Sequence, residues 1–159
     1  MSRVRVDYSA SMTNAQPLEL PYPTCAQCAG IGLDTAPQWQ WDMEDELGFD
    51  VLKALILAHG GRELSIWCRL RETVESPLDQ AQAWLRNRFG SGKMIIQFGP
   101  LARRNRIAWL TYTMLRDGAS LAQVAARLDV TVRTICRHKK RLQDMGALPA
   151  PAPSNTRRT

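Results

Sequence analysis

Arg133, Arg137 and Lys140 stand four and three residues apart in the stretch 131–145. On a helix that spacing gathers them on one face. Thr131, Val132 and Cys136 fall on the same side, with Thr131 and Val132 at the tip. This set has a chemistry. A guanidinium presents paired donors that match the O6 and N7 acceptors of guanine, and a valine methyl fits the methyl of thymine. Arg133 and Arg137 are the residues expected to contact guanine, and Val132 the one expected to meet thymine. Arg103, Arg104, Arg106, Lys139 and Arg141 are expected to hold phosphates. The plainer alternative for the same residues is a helical hairpin with a solvated basic face.

Other patterns offer less. Cys25-Ala-Gln-Cys28 is a CxxC pair, but a zinc set needs two further ligands. The remaining cysteines and histidines, Cys68, Cys136, His59 and His138, form no second pair. No metal is expected, with Cys25 and Cys28 as the only weak ligand candidates, and they read as reduced thiols. Gly90-Ser91-Gly92-Lys93 has the composition of a phosphate loop but the wrong context, because a helix precedes it and a strand follows. His59 reads as a packing or capping histidine. No nucleophile, base and orienting residue come together in sequence, so no enzyme and no cofactor are expected.

The basic face needs elements to position it. Ser120 with Gln123 reads as a capping box opening a helix over 121–128. Asp129 occupies a sharp turn, since Asp tolerates a left-handed backbone better than most residues. Thr131 caps a second helix that runs to about Met145 and stops at Gly146. Val124, Ala125, Leu128, Val130, Ile135, Leu142 and Met145 fall on the facing sides, and the small Ala125 lets the helices approach. This is the helix-turn-helix pattern, whose second helix enters the major groove N-terminal end first. A helix over 101–116 would support it.

Upstream, the periodicity predicts a helix over 44–59 ended by Gly60-Gly61, then a strand from Glu63 to Cys68. A second helix capped by Ser76 and stopped by Gly90 leads to a strand from Lys93 to Phe98. The two units share an order of helix, glycines and short apolar strand, a faint sign of duplication. The acidic run Asp42, Glu44, Asp45 and Glu46 reads as stabilising a helix start. Trp39 and Trp41 read as packing on the core, or else as a partner-binding element.

The resulting fold class is mainly α, with one or two short strands. The expected organisation is a flexible arm over 1–41, a dimerisation domain over 42–99, a helix-turn-helix domain over 100–148 and a disordered tail over 149–159. Charge divides the same way. Residues 1–92 carry 8 Lys or Arg against 12 Asp or Glu, and residues 93–148 carry 11 against 3. A basic half joined to an acidic one suits a nucleic-acid module attached to something with another task. The sequence holds no apolar run of the roughly 18 residues a membrane span needs. With no apolar signal core in MSRVRVDYSASM, the cytoplasm is the expected location.

The stretch from about residue 80 to 142 contains GSGKMIIQFG, followed by RIAWLTYTMLRDGASLAQVAARLDVTVRTICRHKKRL. In order and spacing it resembles the Mor family of bacteriophage transcription activators. The family's strand tends to end in a Tyr-Ile-Pro-like sequence, where this chain has Ile95-Ile96-Gln97 and no proline until Pro100. The resemblance implies a homodimer joined by strands of two chains, a helix-turn-helix on each subunit, and activation of a phage promoter by contact with host RNA polymerase in the bacterial cytoplasm. Leu64, Ile66, Trp67, Met94, Ile95 and Ile96 are the expected dimer contacts, since short apolar strands invite pairing. Two alternatives stay open. One is a module that binds a host regulator through the N-terminal half. The other is a DNA-targeting accessory factor in recombination or packaging. Arg137→Ala should relax sequence preference, whereas Arg103→Ala should weaken binding to every sequence and flatten the salt slope by about one. Titrations on matched specific and nonspecific duplexes check both, and an equal loss on the two duplexes for Arg137→Ala would remove it from base reading.

Overall fold

The computed structural model describes residues 19–33, 36–69 and 71–152. The rest of the expected arm and tail, residues 1–18, 34–35 and 153–159, lies outside them, as does residue 70. Among the described residues there are seven helices and one two-stranded sheet. The order is α1 (Cys25–Gly30), α2 (Gln38–Leu47), α3 (Phe49–His59), β1 (Glu63–Ile66), α4 (Pro77–Phe89), β2 (Gly92–Ile95), a single 3-10 turn at Gly99–Leu101, α5 (Arg103–Arg116), α6 (Leu121–Leu128) and α7 (Val132–Asp144).

The single helix expected over 44–59 is two. Gly48, at φ 92°, breaks it between α2 and α3 in a conformation that suits glycine. Because α2 starts at Gln38, the acidic run lies in its later turns and not at a helix start. Those carboxylates tie elements together instead. Glu44 accepts the Cys25 backbone N–H at 2.9 Å, supplying an acceptor for the first turn of α1. Glu46 accepts the indole N–H of Trp84 at 2.6 Å, and Asp42 pairs with Arg88. Trp39 and Trp41 pack against the N-terminal core.

The strands expected to be unpaired pair with each other, antiparallel, with Glu63 opposite Ile95 and Ser65 opposite Lys93. Leu64, Ile66 and Ile96 therefore point into the chain's own core with Leu52, Leu55, Ile56 and Leu85. Alternation sent one face of each strand inward, and the nearest apolar surface was that of α3 and α4.

Residues 19–33, which sequence reading leaves in an irregular arm, are packed. Thr24 forms a capping box with Gln27 at the head of α1. Cys25 is buried in the N-terminal core, and Cys28 joins a second cluster with Ile31, Leu33, Ala108 and Leu142. The prolines at 21 and 23 masked this helix, which is too short to show a period.

The helix-turn-helix forms as the sequence indicates. Ser120 and Gln123 make a reciprocal capping box, Asp129 is left-handed at φ 52°, and the Thr131 hydroxyl accepts the Thr134 N–H. Val124, Ala125 and Ile135 close a third cluster between α6, α7 and Ile107 of α5. Ala125→Leu should cost about 1–3 kcal/mol by overpacking this crossing. Urea unfolding monitored by circular dichroism measures it, and an unchanged midpoint would show that the helices can separate without loss.

Candidate nucleic-acid interface

The side of α7 opposite Ile135 and Leu142 carries Arg133, Cys136, Arg137 and Lys140. All four are exposed, as are Thr131 and Val132 at the helix start. The spacing argument and the fold therefore bring together the six residues expected to read bases. Among the described residues, every ion pair lies N-terminal to Gly99: Arg71 with Asp79, Arg88 with Asp42 and Glu46, and Lys93 with Glu63. The exposed arginines at the first turn of α5 and on the outer face of α7 thus have no ion-pair partner among the described carboxylates.

The residues expected to hold phosphates separate into three groups. Arg103 and Arg104 are exposed at the first turn of α5, and the buried Asn105 fixes that turn by donating to the Gly99 carbonyl at 2.9 Å. Arg104 and Arg141 share a cleft of about 260 Å³ with Arg137 and His138. Lys139 lies elsewhere, beside Leu115, Arg116 and Leu148.

Arg106 is a correction. Its guanidinium stacks on Tyr22, 3.7 Å from the ring centroid, and donates to the Pro21 and Leu20 carbonyls. These contacts use it to anchor the segment before α1, so it is not free for a phosphate. Nothing in its sequence neighbourhood distinguishes it from Arg103 and Arg104. The difference comes from a contact 84 positions away in the chain, counted from Tyr22 to Arg106.

His138 is the residue that sequence reading missed. It is half-buried, and its imidazole pKa is held below the usual value by burial first and then by Arg104, Arg141 and Arg137. Its three-residue spacing from Arg141 was visible in the sequence. The approach of Arg104 was not, because it depends on how α5 crosses α7.

The cysteines of the CxxC pair are both buried. The Cys25 thiol is raised by burial and by its hydrogen bond with Glu44, and Cys28 is pushed up to about 12 by burial and the Glu44 charge. Both keep their protons at neutral pH. The strand residues named above as dimer contacts are also divided. Leu64, Ile66 and Ile96 are core, Met94 packs against the core, and Trp67 lies under Arg71 at 4.6 Å. Only Ile95, 67% exposed, faces outward freely.

A family model described as a homeodomain-like domain matches residues 102–151. This segment is similar to homeodomain-like domains and folds as a helix-turn-helix. It spans α5, α6 and α7 and contains the whole basic face, so the domain supports a DNA-binding regulator. No curated protein and no solved structure matches the chain significantly.

Arg106→Ala should lower stability by about 1–2 kcal/mol, the scale of a partly buried cation–π contact and its hydrogen bonds. The salt slope of DNA binding should stay unchanged. Thermal melts and salt titrations separate the two effects, and a slope flattened by one with unaltered stability would return Arg106 to the phosphate contacts.

Proposed function

We propose that the protein is a sequence-specific transcription regulator that binds an inverted repeat as a homodimer. The observation that carries this reading is the exposed basic face of α7 on a homeodomain-like domain. In this reading α7 enters the major groove, with Arg133 and Arg137 on guanines and Val132 against a thymine methyl. Thr131, Cys136 and Lys140 line the same contact. Arg103, Arg104, Lys139 and Arg141 set the register on the backbone. The resemblance to phage activators extends the reading to promoter activation through host RNA polymerase.

One helix-turn-helix reads few base pairs, so useful specificity calls for two. The sheet offers a route to the second copy. Gln82 of α4 donates to the Ser65 carbonyl and accepts the Trp67 N–H, both at 3.2 Å, which blocks the outer edge of β1. Since the Ser65 carbonyl faces away from β2, Ser65 and Lys93 are a non-hydrogen-bonded pair, and the Lys93 backbone faces outward too. Ile95, two residues on, shares that orientation. Among the described residues none hydrogen-bonds to this edge. The one cation on it, Lys93, is offset by Glu63 at 2.9 Å. Two copies of β2 can pair there about a two-fold axis, which is self-complementary by construction.

Selection of sites from random duplex DNA at near-physiological salt tests the reading. The full-length protein should enrich an inverted repeat with half-sites about one helical turn apart, and Ile95→Lys should enrich single half-sites only. An absence of enrichment, with binding that disappears as salt rises, would leave only the electrostatic attraction common to basic proteins.

A further inference from the structure

Four side chains line the cleft between α5 and α7: Arg104, Arg137, His138 and Arg141. Three are guanidiniums and the fourth is a half-buried imidazole. Like charges repel, so a fold that holds three cations around one small cleft without a described counter-charge is arranged for an anion from outside. The cleft lies on the flank of α7, beside the face carrying Arg133 and Lys140; Arg137 borders both and is assigned to base reading above, which leaves Arg104, Arg141 and His138 for the backbone. A helix seated in the major groove turns its flanks toward the sugar-phosphate walls. The anion within reach there is a phosphodiester, and guanidinium donors suit its oxygens.

We propose that this cleft is a backbone-phosphate site in which His138 is a contact, and that DNA binding loads a proton onto His138. The proposal rests on the DNA-binding reading above. Arg104 comes from the first turn of α5, while Arg137, His138 and Arg141 come from successive turns of α7, so the site exists only when the two helices are packed. In the free protein, burial and the three arginines disfavour the imidazolium. No described carboxylate acts on it from either helix. A phosphodiester reverses the balance. Its negative charge offsets the guanidiniums, and the imidazolium gains a charged acceptor for one of its N–H groups. The proton comes from solvent, and no bond is made or broken beyond that transfer.

The sign follows from linkage. The pKa of His138 is higher in the complex than in the free protein, so between the two values the complex holds more protons. Affinity therefore rises as pH falls through that window and levels off on either side. The lower edge of the window lies below the ordinary histidine value, because burial and the three arginines lower the free value from it. A phosphodiester stays ionised throughout. The effect belongs to the backbone and so should be the same on any duplex sequence.

The test uses the full-length protein and a nonspecific duplex at constant ionic strength, with affinity measured from pH 8 to pH 6. Wild-type protein and His59→Gln should tighten as pH falls, by at most about tenfold per pH unit, the limit for uptake of one proton. His138→Gln should show a flat profile. The Cε1–H resonance of His138, followed by NMR in the wild-type protein with and without duplex, reads the same event without a variant. An apparent pKa that rises on adding DNA supports the proposal even where His138→Gln fails to fold, and one that stays or falls overturns it. Binding with a flat wild-type profile, or with the same slope in folded His138→Gln, overturns the proton linkage alone. No binding at any pH overturns the DNA-binding reading itself.

Discussion

The architecture depends on a helix of six residues. The N-terminal core and the cluster around Ala108 of α5 and Leu142 of α7 are separate groups of apolar side chains, and α1 enters both. Cys25 enters one cluster and Cys28 the other. So short a helix is not stable alone. It persists because Thr24 and Gln27 cap it, Glu44 accepts its first N–H, and Arg106 grips the residues before it through Tyr22. Glu44 belongs to α2, Arg106 to α5, and Leu142, which clusters with Cys28, to α7, so α1 records the placement of all three. The CxxC spacing has a packing explanation here. Two small, apolar-tolerant side chains one helical turn apart can each be buried fully.

Charge follows the same division. In the N-terminal half, opposite charges meet: Asp42 and Glu46 with Arg88 between α2 and α4, and Lys93 with Glu63 across the sheet. At the first turn of α5 and on the outer face of α7, no described carboxylate pairs with the exposed arginines. Exposed pairs of the first kind contribute little to stability, but they quench the field of the N-terminal half. The net positive charge of the chain is thereby expressed at one end, where it can orient an approaching polyanion.

Much of this was legible in the sequence wherever a local rule decided the outcome. Ser120 with Gln123, Asp129 in the turn, Thr131 as a cap and the alternation of Ile135 with Arg133 and Arg137 are all short-range signals, and each appears in the fold. The strands were legible too, but not their partner. Pairing β1 with β2 depends on how α3 and α4 pack, which no window of adjacent residues encodes. The same limit hid the difference between Arg106 and its neighbours, the role of His138, and α1. The helix break at Gly48 was visible as a glycine, but the apolar stripe from Phe49 onward merged with the acidic residues before it into one apparent helix.

The side chain of Gln82 does for β1 what another strand would do, giving a donor and an acceptor to the backbone of Ser65 and Trp67. A two-stranded ribbon ordinarily has two edges on which a neighbour can add, and growth on both is how a sheet becomes a fibre. With one edge already occupied from within, addition to this sheet is terminated after a single step. An amide on a neighbouring helix thus occupies the outer edge of β1, and it does so without a proline in the strand itself.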